Sequence, residues 1–172
     1  MTIYQHAARL ARRYDAEHHF LKWGFNVSPM YRRTTARVVA VSEDLHRVRI
    51  RLPLTWRNRN YVGTIFGGSM AAAADPIAMV QLINILCDGY VVWDKAASIR
   101  FRRPAREALY ADFTFTPDEV RDIRQRVAEH GEITFDKATR FTDEAGDTVY
   151  AEVSKTLYVA SKEFYRTKRG RG

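Results

Sequence analysis

From Gly67 to Cys87 the chain carries a single charged side chain, Asp75. A run this apolar, closed by Asp88-Gly89, predicts a helix over 68–87 that is hydrophobic on every side. Such a helix has to be wrapped by the rest of the fold, and this requirement limits the architecture more than any other feature. Met70 to Cys87 barely reaches the ~20 residues of a membrane span, and Asp75, Pro76, Gln81 and Asn84 interrupt it. The expectation is a buried central helix and no membrane span. Burying a lone carboxylate is costly unless it is paired, hydrogen-bonded or put to use. Pro76 removes one helical N–H and crowds the carbonyl of Ala72, and the residue before a proline resists helical geometry. A kink beside Asp75 follows. Two local rules are broken at the one charged position, where functional strain tends to sit.

The helix is entered through the polar loop Asn60-Tyr61-Val62-Gly63-Thr64-Ile65-Phe66, which ends on Gly67-Gly68. A glycine pair at a helix start leaves backbone N–H groups open to a carbonyl oxygen or an anion. Carbonyl polarisation at Gly67 and Gly68, with a base at Asp75, is the chemistry this suggests. Gly68 and Asp75 lie two turns apart on one helix face, about 10 Å along the axis at ~1.5 Å per residue. One small carbonyl does not easily touch both. Two copies with antiparallel helices would set Asp75 of one against Gly68 of the other, giving a site shared across a dimer. Asn60 is placed either to orient the water or carbonyl or to form the turn.

The remaining pattern supplies the wrapping. Apolar spacing through Ala7, Leu10, Tyr14, His18, Leu21 and Phe25 predicts a helix over 5–25, closed by Pro29. Strands are expected over 35–42, 46–52, 91–102, 108–115, 132–142 and 147–159. The second is the clearest, with Val48, Ile50 and Leu52 alternating against Arg47, Arg49 and Arg51. Thr116-Pro117-Asp118-Glu119 marks the start of a short helix. One apolar helix and about six strands imply an α+β fold, an antiparallel sheet curved around the helix. A single sheet covers one side only, so a homodimer is expected, with a tetramer left open. The division is a helical extension over 1–29, the main domain over 30–160 and a basic, frayed tail over 161–172.

Composition narrows the function. The 172 residues suffice for one domain with a real core, and 46% hydrophobic with 28% charged residues is globular composition. A net charge of +8 favours anionic partners. The arginines are spread along the chain, which argues against nucleic acid. The only cysteine, Cys87, excludes an intrachain disulfide and most zinc schemes. It reads as a buried structural thiol in a reducing, cytoplasmic setting. No signal peptide is expected from the N-terminal residues. His18 and His19 point to different helix faces, and His6, His46 and His130 stand alone, so no metal site is expected. No nucleophilic Ser or Cys constellation and no phosphate-binding glycine loop is readable.

Asn60-x-x-Gly63-x-x-x-Gly67-Gly68 followed by Asp75, within this order of elements, resembles the hotdog fold over roughly residues 30–160. The motif is similar to that of phenylacetate-type acyl-CoA thioesterases. The fuller form, Gly63-Thr64-Ile65-Phe66-Gly67-Gly68 with Ala73-Ala74-Asp75-Pro76, is similar to the thioesterase-like DUF4442 group. Many phenylacetate-type enzymes carry His before the glycine pair, where this chain has Phe66. The resemblance implies hydrolysis of an acyl-CoA or acyl-carrier thioester at a dimer-shared site. Gly67 and Gly68 would hold the carbonyl, Asp75 would be base or nucleophile, and Asn60 would assist. Thr64, Phe66 and Met70 would line the substrate site, and Arg100, Arg102, Arg103 and Arg106 would form a cationic rim for a phosphate-rich carrier, with Arg57 and Arg59 nearby. No cofactor is implied beyond the coenzyme A part of the substrate. A non-catalytic acyl-binding protein of the same fold is the alternative.

Overall fold

A computed structural model describes residues 17–170. Its elements run α1 (Glu17–Val27), α2 (Pro29–Arg32), β1 (Arg37–Val41), β2 (Arg47–Leu52), α3 (Gly67–Ala74) and α4 (Ile77–Leu86), then β3 (Tyr90–Phe101), β4 (Leu109–Thr114), α5 (Pro117–His130), β5 (Glu132–Thr142), β6 (Val149–Ser161) and α6 (Lys162–Arg169). All six strands pair antiparallel in one sheet, in the order β1-β2-β4-β5-β6-β3. One face of the sheet packs on α3 and α4. Val48, Ile50 and Leu52 from β2, Leu109, Ala111 and Phe113 from β4, and Ala151, Val153, Leu157 and Val159 from β6 are all buried on that face. They meet Ile77, Ala78, Leu82 and Leu86 of α4. Gln81 is fully buried among them, its Nε2 donating to the carbonyls of Leu45 and Phe113.

The apolar run is two helices, α3 and α4, with Asp75 at the C-terminal cap of the first and Pro76 at the N-terminal cap of the second. The break falls where the proline places it. Tyr31, fully buried, closes it from outside by donating its hydroxyl to the carbonyl of Ala73 at 3.2 Å. Gly67–Leu86 is long and apolar enough by composition to cross a membrane; half of that stretch is buried inside the fold.

Of the expected N-terminal helix, residues 5–16 lie outside the described residues, whereas 17–27 are helical and bury Leu21 and Phe25 as the spacing required. Pro29 opens the further helix α2 instead of merely ending the region. Thr116 and Glu119 make the reciprocal capping bonds of α5. Two expectations are corrected. Cys87 is exposed, because it caps α4 with φ +64 and lies past the last buried turn. Residues 162–169, read as a frayed tail, are helical: Ser161 caps α6 through the Phe164 amide.

Candidate active site

An open cavity of about 670 Å³ lies between α3 and the inner face of β3 and β6. Gly68 and Asp75 both line it, joined by Phe66, Ala71 and Ala72 from the helix side and by Ala97, Ile99 and Val153 from the sheet. The two residues that carry the proposed chemistry thus share one cavity wall, as their spacing on one helix face required. At the helix start the amides of Gly67 and Gly68 bond to no protein acceptor among the described residues, as the first N–H groups of a helix have no intrahelical partner. The Phe66 ring lies where a Cβ on Gly68 would have to be, and the Phe101 ring does the same to Gly67. Only glycine admits these rings so close to the backbone.

Asp75 is solvent-accessible, its side chain 64% exposed, and one of its oxygens accepts a hydrogen bond from Lys155 Nζ at 2.7 Å. Lys155 is a residue that sequence reasoning missed. It sits on β6 in the buried phase between Val153 and Leu157, with its side chain 3% exposed. Its ammonium also meets Asp94 Oδ2 at 2.8 Å. Burial disfavours this cation, yet bonds to Asp75 and Asp94 outweigh that and raise its pKa above the ordinary lysine value. For Asp94 the balance is reversed: burial pushes its carboxyl up, more than the Lys155 ammonium draws it down. The second oxygen of Asp94 is buried without a hydrogen-bond partner. For Lys155 the signal was present in the sequence, a charged residue at the inward phase of the alternating strand β6. For Asp94 it was not, because the register of β3 shifts between Asp94 and Ala96, and alternation counted back from Ile99 turns Asp94 outward.

The other expected site residues divide. Phe66 lines the cavity. Met70 does not: two residues on from Gly68 it turns to the opposite helix face and is buried in the core. Asn60 spends its side chain on the loop, accepting from the amides of Val62 and Thr64 and donating to Thr64 Oγ1 at 2.8 Å. Of the two roles open to Asn60, the turn is what the structure places there. Thr64, buried as its partner, stays out of the cavity as well. None of Arg100, Arg102, Arg103 and Arg106 lines the cavity, and Arg102 is tied to Glu152 at 2.6 Å on the outer face of the sheet. Among the described residues the cation at the cavity besides Lys155 is Arg33, which follows α2 together with Thr34. No cluster of three or more His, Cys, Asp or Glu able to hold a metal occurs among the described residues.

A curved antiparallel sheet wrapped on a central helix, with its cavity at the helix start, is the hotdog architecture. The chain belongs to the family described as a domain of unknown function, DUF4442, whose model matches residues 17–159. Among solved structures it is similar to a Pseudomonas aeruginosa protein of unknown function described as a probable thioesterase (21% identity, TM-score 0.73, covering 83% of this chain and 95% of that one). It is also similar to a Chlorobaculum tepidum protein of unknown function (13%, TM-score 0.65, 81% and 91%). A third relative in structure is a thioesterase from Haemophilus influenzae (16%, TM-score 0.60, 83% and 90%). No curated protein matches the sequence.

Proposed function

We propose that this chain hydrolyses a thioester, with an acyl-CoA or an acyl-carrier as substrate, at a site completed by a second copy of itself. The observation that carries the reading is the shared cavity: free amides at Gly68 and an accessible carboxylate at Asp75 open on the same apolar space. The amides would polarise the thioester carbonyl, and Asp75 would activate water or attack directly. The solved structures described as thioesterases support that class of chemistry.

Two features support the second copy. Among the described residues β3 pairs only with β6, leaving a twelve-residue strand with an open edge. A long open edge is a template for another strand. Next to it, Gly68, Ala71 and Ala72 leave α3 bare on the cavity side, with Phe66 and Phe101 more than half exposed. Antiparallel pairing of two such edges would cover both and bring Asp75 of one copy toward Gly68 of the other. The non-catalytic acyl-binding alternative would keep the same cavity and the same ion pair from Lys155 to Asp75, so binding and turnover are measured together.

Hydrolysis of short, long and aromatic acyl-CoAs by the wild type and Asp75→Asn decides between them. Turnover that falls at least ~100-fold in the variant, the order expected for loss of a general base, supports the enzyme. Binding without turnover in the wild type supports the acyl-binding protein.

A further inference from the structure

One charged group from the sheet bonds Asp75, a second stands behind it, and a third lines the same cavity. Lys155 of β6 bonds it directly, Asp94 of β3 bonds the same ammonium, and Arg33 lines the cavity. Lys155 and Asp94 belong to the inner face of the sheet, where Ala97 pairs with Lys155 and Asp94 with Leu157. A lysine this deeply buried has few rotamers to choose from, and two carboxylates fix its ammonium, Asp94 from strand β3 and Asp75 from the helix break. Asp75, by contrast, sits at a break between helices, with an exposed side chain and only one of its two oxygens hydrogen-bonded among the described residues. Among the described residues no other side chain is bonded to the Asp75 carboxylate.

We infer that Lys155, anchored by Asp94, is a positioning residue for Asp75: it pins one carboxylate oxygen and leaves the other turned to the substrate cavity. Buried ion pairs contribute little net stability compared with a well-packed apolar residue. A cation buried between two carboxylates beneath a cavity is therefore better accounted for by orientation than by folding. The orphaned Oδ1 of Asp94 fits the same account, because Asp94 gives its one bonded oxygen to Lys155 and to nothing else. The proposal rests on the thioesterase reading for its effect on rate, but its geometry stands apart from it.

The test is a set of variants: Lys155→Met, Asp94→Asn and Asp75→Asn, alone and in pairs. Each is measured for kcat and KM on the best acyl-CoA and for affinity toward a non-hydrolysable thioether analogue. Lys155→Met is expected to lower kcat at least tenfold while the analogue's Kd changes less than about twofold. Asp94→Asn should lower kcat less, and neither change should lower it further once Asp75 is Asn, because residues acting through one group are non-additive. A merely structural role would lower melting temperature and affinity together and would add to Asp75→Asn. Equal loss in that background, or wild-type kcat in Lys155→Met, overturns the proposal.

A second readout does not need turnover. The Lys155 ammonium should give a slowly exchanging 15N–1H NMR signal that moves in both Asp94→Asn and Asp75→Asn. If the wild type hydrolyses nothing but that signal is present and responds to both variants, the thioesterase reading falls and the positioning geometry stands. A freely exchanging ammonium, insensitive to Asp75→Asn, overturns the positioning geometry whatever the activity.

Discussion

Tyr31→Phe removes one oxygen atom from a fully buried ring and tests whether the helix break is held from outside. The lost group is the donor to the Ala73 carbonyl, two residues before Asp75. A typical intramolecular hydrogen bond contributes about 1 kcal/mol, and a buried polar group left without its partner costs about 1–3 kcal/mol. At 3.2 Å this O–H···O bond is longer than the usual ~2.5–3.0 Å, which favours the lower part of that range, so about 1–2 kcal/mol is expected. For a chain of this size that corresponds to a drop in melting temperature of roughly 2–8 °C, at about 2–4 °C per kcal/mol. Urea unfolding followed by tryptophan fluorescence measures it, with Tyr31→Leu alongside. The leucine variant also removes the ring that meets Phe25 edge-on at 5.0 Å, so it should lose distinctly more. A Tyr31→Phe variant within ~0.3 kcal/mol of wild type, beside a damaged Tyr31→Leu, would refute the reasoning: the ring alone would then secure the break. The unfolding midpoint should stay insensitive to Tyr31 ionisation through mildly alkaline pH, because burial pushes the phenol well above its ordinary range.

Two further outcomes concern the other end of the molecule. Glu132 is held below its ordinary value of 4.5 by bonds from Lys168 and Tyr158, so its stabilising effect is present above that value and is lost as pH falls through the lower folded one. Trp93, stacked on Tyr158 and edge-on to Tyr165, should report the loosening of α6 as a fluorescence change in that acid window, and Glu132→Gln should show the change already at neutral pH. Gly131→Ala places a side chain at φ +79 and against the Phe164 ring. It should destabilise by at least about 1–2 kcal/mol from handedness alone, read by thermal unfolding, and it should detach α6 to the same fluorescence signal.

The architecture was readable because its signals are local and repeated. Alternation in β2 and β4 gave both the strands and their buried faces, and the Thr116–Glu119 pair gave the start of α5. Pro76 gave the break, since its chemistry acts on its own turn. The exposure of Cys87 was not readable in the same way. It depends on where α4 ends relative to the core, a boundary one residue wide, and burial statistics for cysteine carry no information about a helix cap. The helical state of Lys162–Arg169 was hidden by its charge. α6 is held by the Ser161 cap and by Lys168 reaching Glu132 across the fold, and none of its residues is buried.

At the site the same distinction separates Asp75 from its partners. The carboxylate stood out because it interrupts an apolar helix, so a rule of local composition found it. Lys155 interrupts an apolar strand in the same way, between Val153 and Leu157, but basic residues also occur on the outward phase of neighbouring strands, where Arg47, Arg49 and Arg51 alternate with the core. Telling an inward lysine from an outward arginine requires the phase of each strand to be fixed first. Once Val153, Leu157 and Val159 set that phase, a buried cation follows, and a buried cation requires a carboxylate. Asp94 satisfies that requirement from within the sheet. The bond to Asp75 is therefore the additional one, made by an ammonium that already had a partner to the most exposed acid around it. That surplus contact, rather than the presence of a carboxylate at the helix break, is what distinguishes a held Asp75 from one simply left at a kink.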